Sequence, residues 1–78
     1  SIGTAKKDEY RNKLLQHFLK ANELNPGNPM VIANIGFVYF QVNDCERAKE
    51  YLSEVAGREG LDDNDSLAVL NCLRQCGY

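Results

Sequence analysis

The sequence predicts an all-α fold of about four antiparallel helices. Apolar residues recur at spacings of three and four along four segments, which is the period of an α-helix with one buried face. Gly, Pro, Asn and Asp cluster between these segments, where turns are needed. The chain also matches itself when it is shifted by 34 residues. Together these observations indicate helix–turn–helix units packed side by side.

The first predicted helix covers about residues 4–24. Four of its apolar residues follow one another at helical spacing and define the buried face: Tyr10, Leu14, Phe18 and Ala21. Pro26 ends the helix, because the residue that precedes a proline is disfavoured in the helical region. The segment "NPGNP" at residues 25–29 then forms a tight turn.

The second predicted helix covers about residues 29–42. Pro29 suits its first position, where the missing N–H has no helical partner to lose. The segment is apolar almost all round, so we expect other helices to cover more than one of its faces. Gly36 costs about 1 kcal/mol relative to Ala in a helix, and it indicates a close approach of another helix.

Two shorter helices follow. The third covers about residues 45–56, with Asp44 as its N-cap and Gly57 after its end. The fourth covers about residues 66–76, and "LDDNDS" before it offers several N-caps. The predicted core positions of the third helix are Ala48, Leu52 and Val55, and the apolar positions of the fourth are Leu67, Val69, Leu70, Cys72 and Leu73.

The match at 34 residues pairs core-type positions with core-type positions. The pairs are Leu14 with Ala48, Phe18 with Leu52, Ala21 with Val55, Ile35 with Val69, and Tyr39 with Leu73. Internal similarity at this period is typical of a helical-hairpin solenoid, in which each hairpin buries its apolar face against its neighbours.

The chain resembles the tetratricopeptide repeat family. The resemblance rests on a spaced set of residues: Ile32, Ile35, Gly36, Tyr39, Ala48, Leu52 and Val55, with Ala21 and Pro26 in the preceding unit. It covers nearly the whole chain and implies a right-handed α-solenoid. Residues 29–62 would form one complete repeat and residues 4–24 the second helix of a preceding repeat. Residues 63–77 would form the first helix of a following repeat or a capping helix.

The sequence departs from the family pattern at four positions. Leu52 replaces the usual aromatic residue, Val55 the usual Ala, and Gly60 the usual Pro. Leu70 stands where a small Gly is expected, which indicates altered packing of the last helix. Another helical-hairpin repeat of similar period is the alternative assignment.

The resemblance implies a non-enzymatic scaffold, adaptor or co-chaperone module whose concave surface binds a peptide or helix of a partner protein. The first helix of each repeat would line that surface, and Asn34 would contact the peptide backbone. The predicted partner-binding residues are Met30, Ala33, Asn34, Phe37, Phe40 and Gln41. The sequence leaves open whether these residues form a groove or pack against a neighbouring helix. Asn64 and Ala68 stand where a carboxylate clamp needs Lys and Arg, which argues against that binding mode.

A second hypothesis is self-assembly into homo-oligomers. The fourth helix has no partner helix of its own in the predicted order of elements. Its leucines would then leave an apolar end patch for another copy of the chain to cover, and the predicted self-association residues are Leu67, Leu70 and Leu73.

The three cysteines are an odd number in a chain without an apparent secretory signal. They predict free thiols and a reducing, cytoplasmic compartment. Cys72 and Cys76 are four residues apart and could offer two metal ligands. A zinc site needs about four ligands, however, and His17 is the only histidine. We therefore expect buried thiols and no metal.

Charge and motifs narrow the function further. The net charge of −2 gives no electrostatic footprint for nucleic acid, and no apolar run approaches the roughly 20 residues of a membrane span. No phosphate loop, nucleophile motif or metal signature is present, so the sequence predicts neither an enzyme nor a cofactor. The charge is uneven. Residues 1–25 carry five Lys or Arg against three acidic residues, and residues 44–65 carry eight acidic against three basic residues.

Overall fold

The computed structural model describes residues 2–78, and their side chains from Lys6 onward. It contains four α-helices: α1 (Ile2–Leu24), α2 (Pro29–Gln41), α3 (Cys45–Val55) and α4 (Asp63–Gln75). The prediction of an all-α fold of four helices is confirmed. The predicted bounds are close to those observed, except that α4 begins three residues earlier than expected.

A side-chain cap begins each of the three helices that follow a turn. The Asn28 side chain accepts a hydrogen bond from the backbone N–H of Met30 at 3.0 Å. Asp44 caps α3, as predicted, by accepting the N–H of Arg47. Before α4, Asp62 is the residue that caps, since its carboxylate accepts the N–H of Asp65 at 2.7 Å. These bonds satisfy N–H groups that have no partner inside the helix.

The central helix is α2, which contacts all three of the other helices. It contributes Ile32, Ile35 and Val38 to the core, and Ile35 has no exposed surface. Among the described residues, α1 contacts α2 alone, whereas α4 contacts both α3 and α2. The all-round apolar character of α2 follows from this position, because few of its directions face water.

The closest contact between helices is that of α2 with α3 at Gly36. A Cβ atom at this position would lie 2.5 Å from Cγ of Leu52, closer than real side-chain carbons approach. Leu52 is itself completely buried and has little room to move away. Gly36 therefore allows α3 to approach, which offsets its cost to helix formation.

The turn between α3 and α4 packs against the start of α2. Gly60 in this turn has φ +104°, a conformation that side-chain-bearing residues rarely adopt. A Cβ atom at Gly60 would also lie 2.9 Å from Cγ of Pro29. Both constraints favour glycine where the family pattern has a proline.

A disulfide joins Cys45 to Cys76, with their Cα atoms 5.4 Å apart. Cys45 is the first residue of α3 and Cys76 is the C-cap of α4, so the bond ties two adjacent helix ends together. The prediction of free thiols in a reducing cytoplasm is therefore wrong. Disulfides persist in oxidising compartments, and this bond points to such an environment. Cys72 is free and half-buried, and burial raises the pKa of its thiol.

Replacing Gly36 with Ala is expected to lower the free energy of unfolding by about 1–2 kcal/mol. The added methyl group overpacks the contact with Leu52, which outweighs the gain of roughly 1 kcal/mol in helix propensity. Urea denaturation of the purified chain measures the change. In a Leu52→Ala background the same exchange should be neutral or stabilising, because the clashing atoms are gone. An equal loss in both backgrounds would contradict the close contact.

Reduction of the Cys45–Cys76 bond is expected to destabilise the fold strongly. The bond closes a loop with a sequence separation of 31 residues. Such a cross-link contributes roughly 3–4 kcal/mol through the entropy of the unfolded chain, close to the whole net stability of about 3–5 kcal/mol of a domain this small. Urea denaturation with and without dithiothreitol measures the difference. A Cys72→Ser variant should show the same difference, and a Cys45→Ser variant should show none. Identical midpoints with and without reductant would disprove the bond.

Candidate interaction surface

One narrow strip of α2 faces solvent, although most of the helix is covered. It consists of Met30, Asn34, Phe37 and Gln41, and we call it the α2 strip. Met30 is 38% exposed, Gln41 is exposed, and the two residues between them are half-buried. Their spacings of four, three and four place them along one side of the helix.

Two other predicted partner-binding residues do not lie on this strip. Ala33 has no exposed surface and belongs to the core, so it is not available to a partner. Phe40 is half-buried and packs against the core cluster, as Phe37 does at the edge of the strip. The structure thus divides the predicted set. Met30 and Gln41 are surface residues, Ala33 is a core residue, and the two phenylalanines contribute to packing.

The α2 strip is uncharged. The whole of α2 contains no Asp, Glu, Lys or Arg. Among the described side chains, the amides of Asn34 and Gln41 form no hydrogen bond within the chain. Each amide can therefore donate and accept hydrogen bonds to a ligand, beside the thioether of Met30 and the ring of Phe37.

A second set of amides lies on α4, which contacts α2. The residues 34 positions beyond the α2 strip are Asn64, Ala68, Asn71 and Gln75, and we call them the α4 strip. Its three amide residues are exposed and Ala68 is half-buried. The sequence analysis treats Asn64 and Ala68 only as failed clamp positions. The 34-residue register was the signal that could have identified the strip as a whole.

The outer face of α3 carries most of the charge near the core helices. A shallow polar depression there is lined by Glu46, Arg47, Lys49 and Glu50. The backbone N–H of Arg47, and then its guanidinium at 2.9 Å, hold the pKa of Asp44 below its usual value. Among the described residues, no three His, Cys, Asp or Glu side chains come together as metal ligands would. The face is a solvated helix surface.

Aromatic packing supports the join between α2 and α3. The rings of Tyr39 and Tyr51 stack with their centroids 5.7 Å apart. Burial raises the pKa of Tyr51, and the nearby Tyr39 adds to the shift. This pair is part of the packing between the two helices and not of the α2 strip.

The predicted self-association residues also separate in the structure. Leu67 is 60% exposed and Leu70 is 46% exposed, whereas Leu73 is 4% exposed and belongs to the core. The exposed end of α4 is therefore a patch of two leucines. On α1, Tyr10 and Leu24 are also largely exposed, and none of its described residues is fully buried.

Within the described part of the chain, no helix is both long enough and apolar enough to pass through a bilayer. Comparisons of the chain with models of protein families, with curated proteins and with solved structures find no match. The assignment of a family therefore depends on the sequence pattern and on the arrangement of these helices.

Proposed function

We propose that the chain is a non-enzymatic protein-interaction module of the tetratricopeptide type. Its α2 and α4 strips bind an extended peptide segment of a partner protein. The observation that carries this proposal is the α2 strip itself. It is a continuous, uncharged line of side chains that faces solvent on the most deeply packed helix.

The burial pattern supports stacked hairpins. Ile35 and Val69, which are 34 residues apart, both have no exposed surface. Ala48, Leu52 and Val55 of α3 are likewise completely buried, and their counterparts in α1 are half-buried. The contacts of α2 with α1, α3 and α4 are those of a helix in the middle of such a stack.

The chemistry of the two strips favours a particular kind of partner. An extended peptide has unpaired backbone N–H and C=O groups, and side-chain amides can pair with both. The strips provide such amides at Asn34, Gln41, Asn64, Asn71 and Gln75. Met30 and Phe37 add apolar contact area beside them. Since neither strip carries a charged side chain, we infer that the partner segment is recognised by its backbone and apolar side chains, not by ion pairs.

Met30→Lys and Gln41→Lys are each expected to weaken peptide binding by about tenfold or more, which corresponds to about 1.4 kcal/mol. A long charged side chain would block the strip and leave its own charge poorly solvated in the complex. The probe is a peptide selected on the oxidised chain from a random displayed library, and fluorescence anisotropy measures its affinity. Helicity and melting should not change, because both residues are at the surface.

Gln16→Lys provides the matched control, since Gln16 is exposed on α1, outside both strips. This variant should bind the peptide as the unmodified chain does. A selected peptide whose affinity survives both strip exchanges, or a library from which no peptide is enriched, would contradict the proposal. Phe37→Glu is less informative, because Phe37 packs against the core and its loss would also lower stability.

Peptide binding is expected to be almost independent of salt. Exposed ion pairs weaken as the Debye length falls from about 14 Å at 0.05 M salt to about 4 Å at 0.5 M, and the strips offer no charge for such a pair. Anisotropy titrations at these two salt concentrations should give the same dissociation constant within about twofold. A loss of affinity larger than tenfold would show that charged residues outside the strips hold the peptide.

A further inference from the structure

We propose that copies of this chain join head to tail, with α1 of one copy packing on α4 of the next. The contact would follow the pattern by which α3 packs on α2 within the chain. This inference does not depend on the binding of a peptide, because it concerns the two ends of the helix stack.

The uncovered side of α4 is the side on which α2 is covered by α3. In α2 this side holds Gly36, which meets Leu52 of α3, and the neighbouring Ala33, which is completely buried. The residues 34 positions later are Leu70 and Leu67, and both are exposed. Helix α4 therefore resembles α2 but lacks a helix of the α3 type.

The uncovered side of α1 has the opposite deficit. In α3, Leu52 packs at Gly36 and Tyr51 stacks on Tyr39, so both residues contact α2. Their counterparts in α1 are Phe18, which is half-buried, and His17, which is exposed. Helix α1 therefore resembles α3 but lacks a helix of the α2 type.

The free side of α1 carries a regular seam. Five residues alternate at spacings of four and three: Tyr10, Leu14, His17, Ala21 and Leu24. This is the spacing of a seam that packs along one partner helix. Tyr10 at 63% and Leu24 at 75% are among the most exposed apolar side chains described. The seam thus presents apolar surface where a second helix would lie.

The two end helices complement each other in charge as well. Residues 6–24 carry five basic and three acidic side chains, whereas residues 62–75 carry three acidic and one basic. Opposite net charges on two apolar helices favour their association and disfavour the pairing of each helix with its own copy. This difference, together with the complementary deficits, indicates a second copy of the chain as the occupant.

The proposed contact differs from that of α2 with α3 in its spacing. Leu70 stands where α2 has Gly36, and Phe18 stands where α3 has Leu52. Larger side chains at the crossing separate two helix axes towards the upper end of the usual range of about 8–10 Å. Because two different surfaces meet, successive copies add in one direction, and the mass should rise gradually with concentration.

Two double variants test this geometry by complementation. Leu67→Lys with Leu70→Lys blocks the α4 end, and Tyr10→Lys with His17→Lys blocks the α1 end. Light scattering of the oxidised unmodified chain over about a hundredfold concentration range should show its mass rising beyond that of a dimer. Each double variant alone should remain a monomer, because burying two ammonium groups in an apolar contact is costly. An equimolar mixture should form a dimer and stop there, since it contains one intact α1 end and one intact α4 end, and the blocked ends repel.

All four replaced side chains are exposed, so circular dichroism melting should be unchanged in both variants. An Asn71→Lys, Gln75→Lys variant is the matched control on α4 and should associate as the unmodified chain does. An unmodified chain that is monomeric at every concentration overturns the proposal, and so does a mixture that stays monomeric. If the α1-blocked variant still forms dimers alone, the contact joins α4 to α4 and the head-to-tail arrangement is wrong.

Discussion

The contact between Gly36 and Leu52 is the constraint on which the rest of the structure depends. It lets α3 lie close against α2, and Leu52 fills the space that any side chain at Gly36 would need. With α3 on one side, α1 and α4 cover most of the remaining surface of α2. The α2 strip is what remains exposed, so the geometry of the candidate site is a consequence of how the central helix is packed.

Local features of the sequence predict much of this fold. The helices follow from apolar spacing, the start of α2 from Pro29, the start of α3 from Asp44, and the close approach from Gly36. These features act within a few residues or need only one neighbour. The earlier start of α4 was missed because four adjacent residues could each cap a helix, and only the fold selects Asp62.

The disulfide and the division of the candidate site could not be predicted in the same way. Cys45 meets Cys76 because α3 and α4 place the start of one beside the end of the other, whereas an odd count of cysteines suggests free thiols. Ala33 lies next to Asn34 in the chain, yet it is completely buried and Asn34 is not. Which neighbour faces solvent is determined by where the other helices lie, and a helical period alone does not contain that information.

The central claim is that α3 packs directly on α2 at Gly36, and nuclear magnetic resonance tests it most directly. In the oxidised chain, nuclear Overhauser effects should connect the δ-methyl protons of Leu52 to the α protons of Gly36. Such effects require protons within about 5 Å, which the contact of these two residues provides. Strong cross-peaks between these groups are the predicted result. Their absence from a folded, assigned spectrum would contradict the close packing of α2 and α3 and, with it, the exposed strip that this packing leaves on α2.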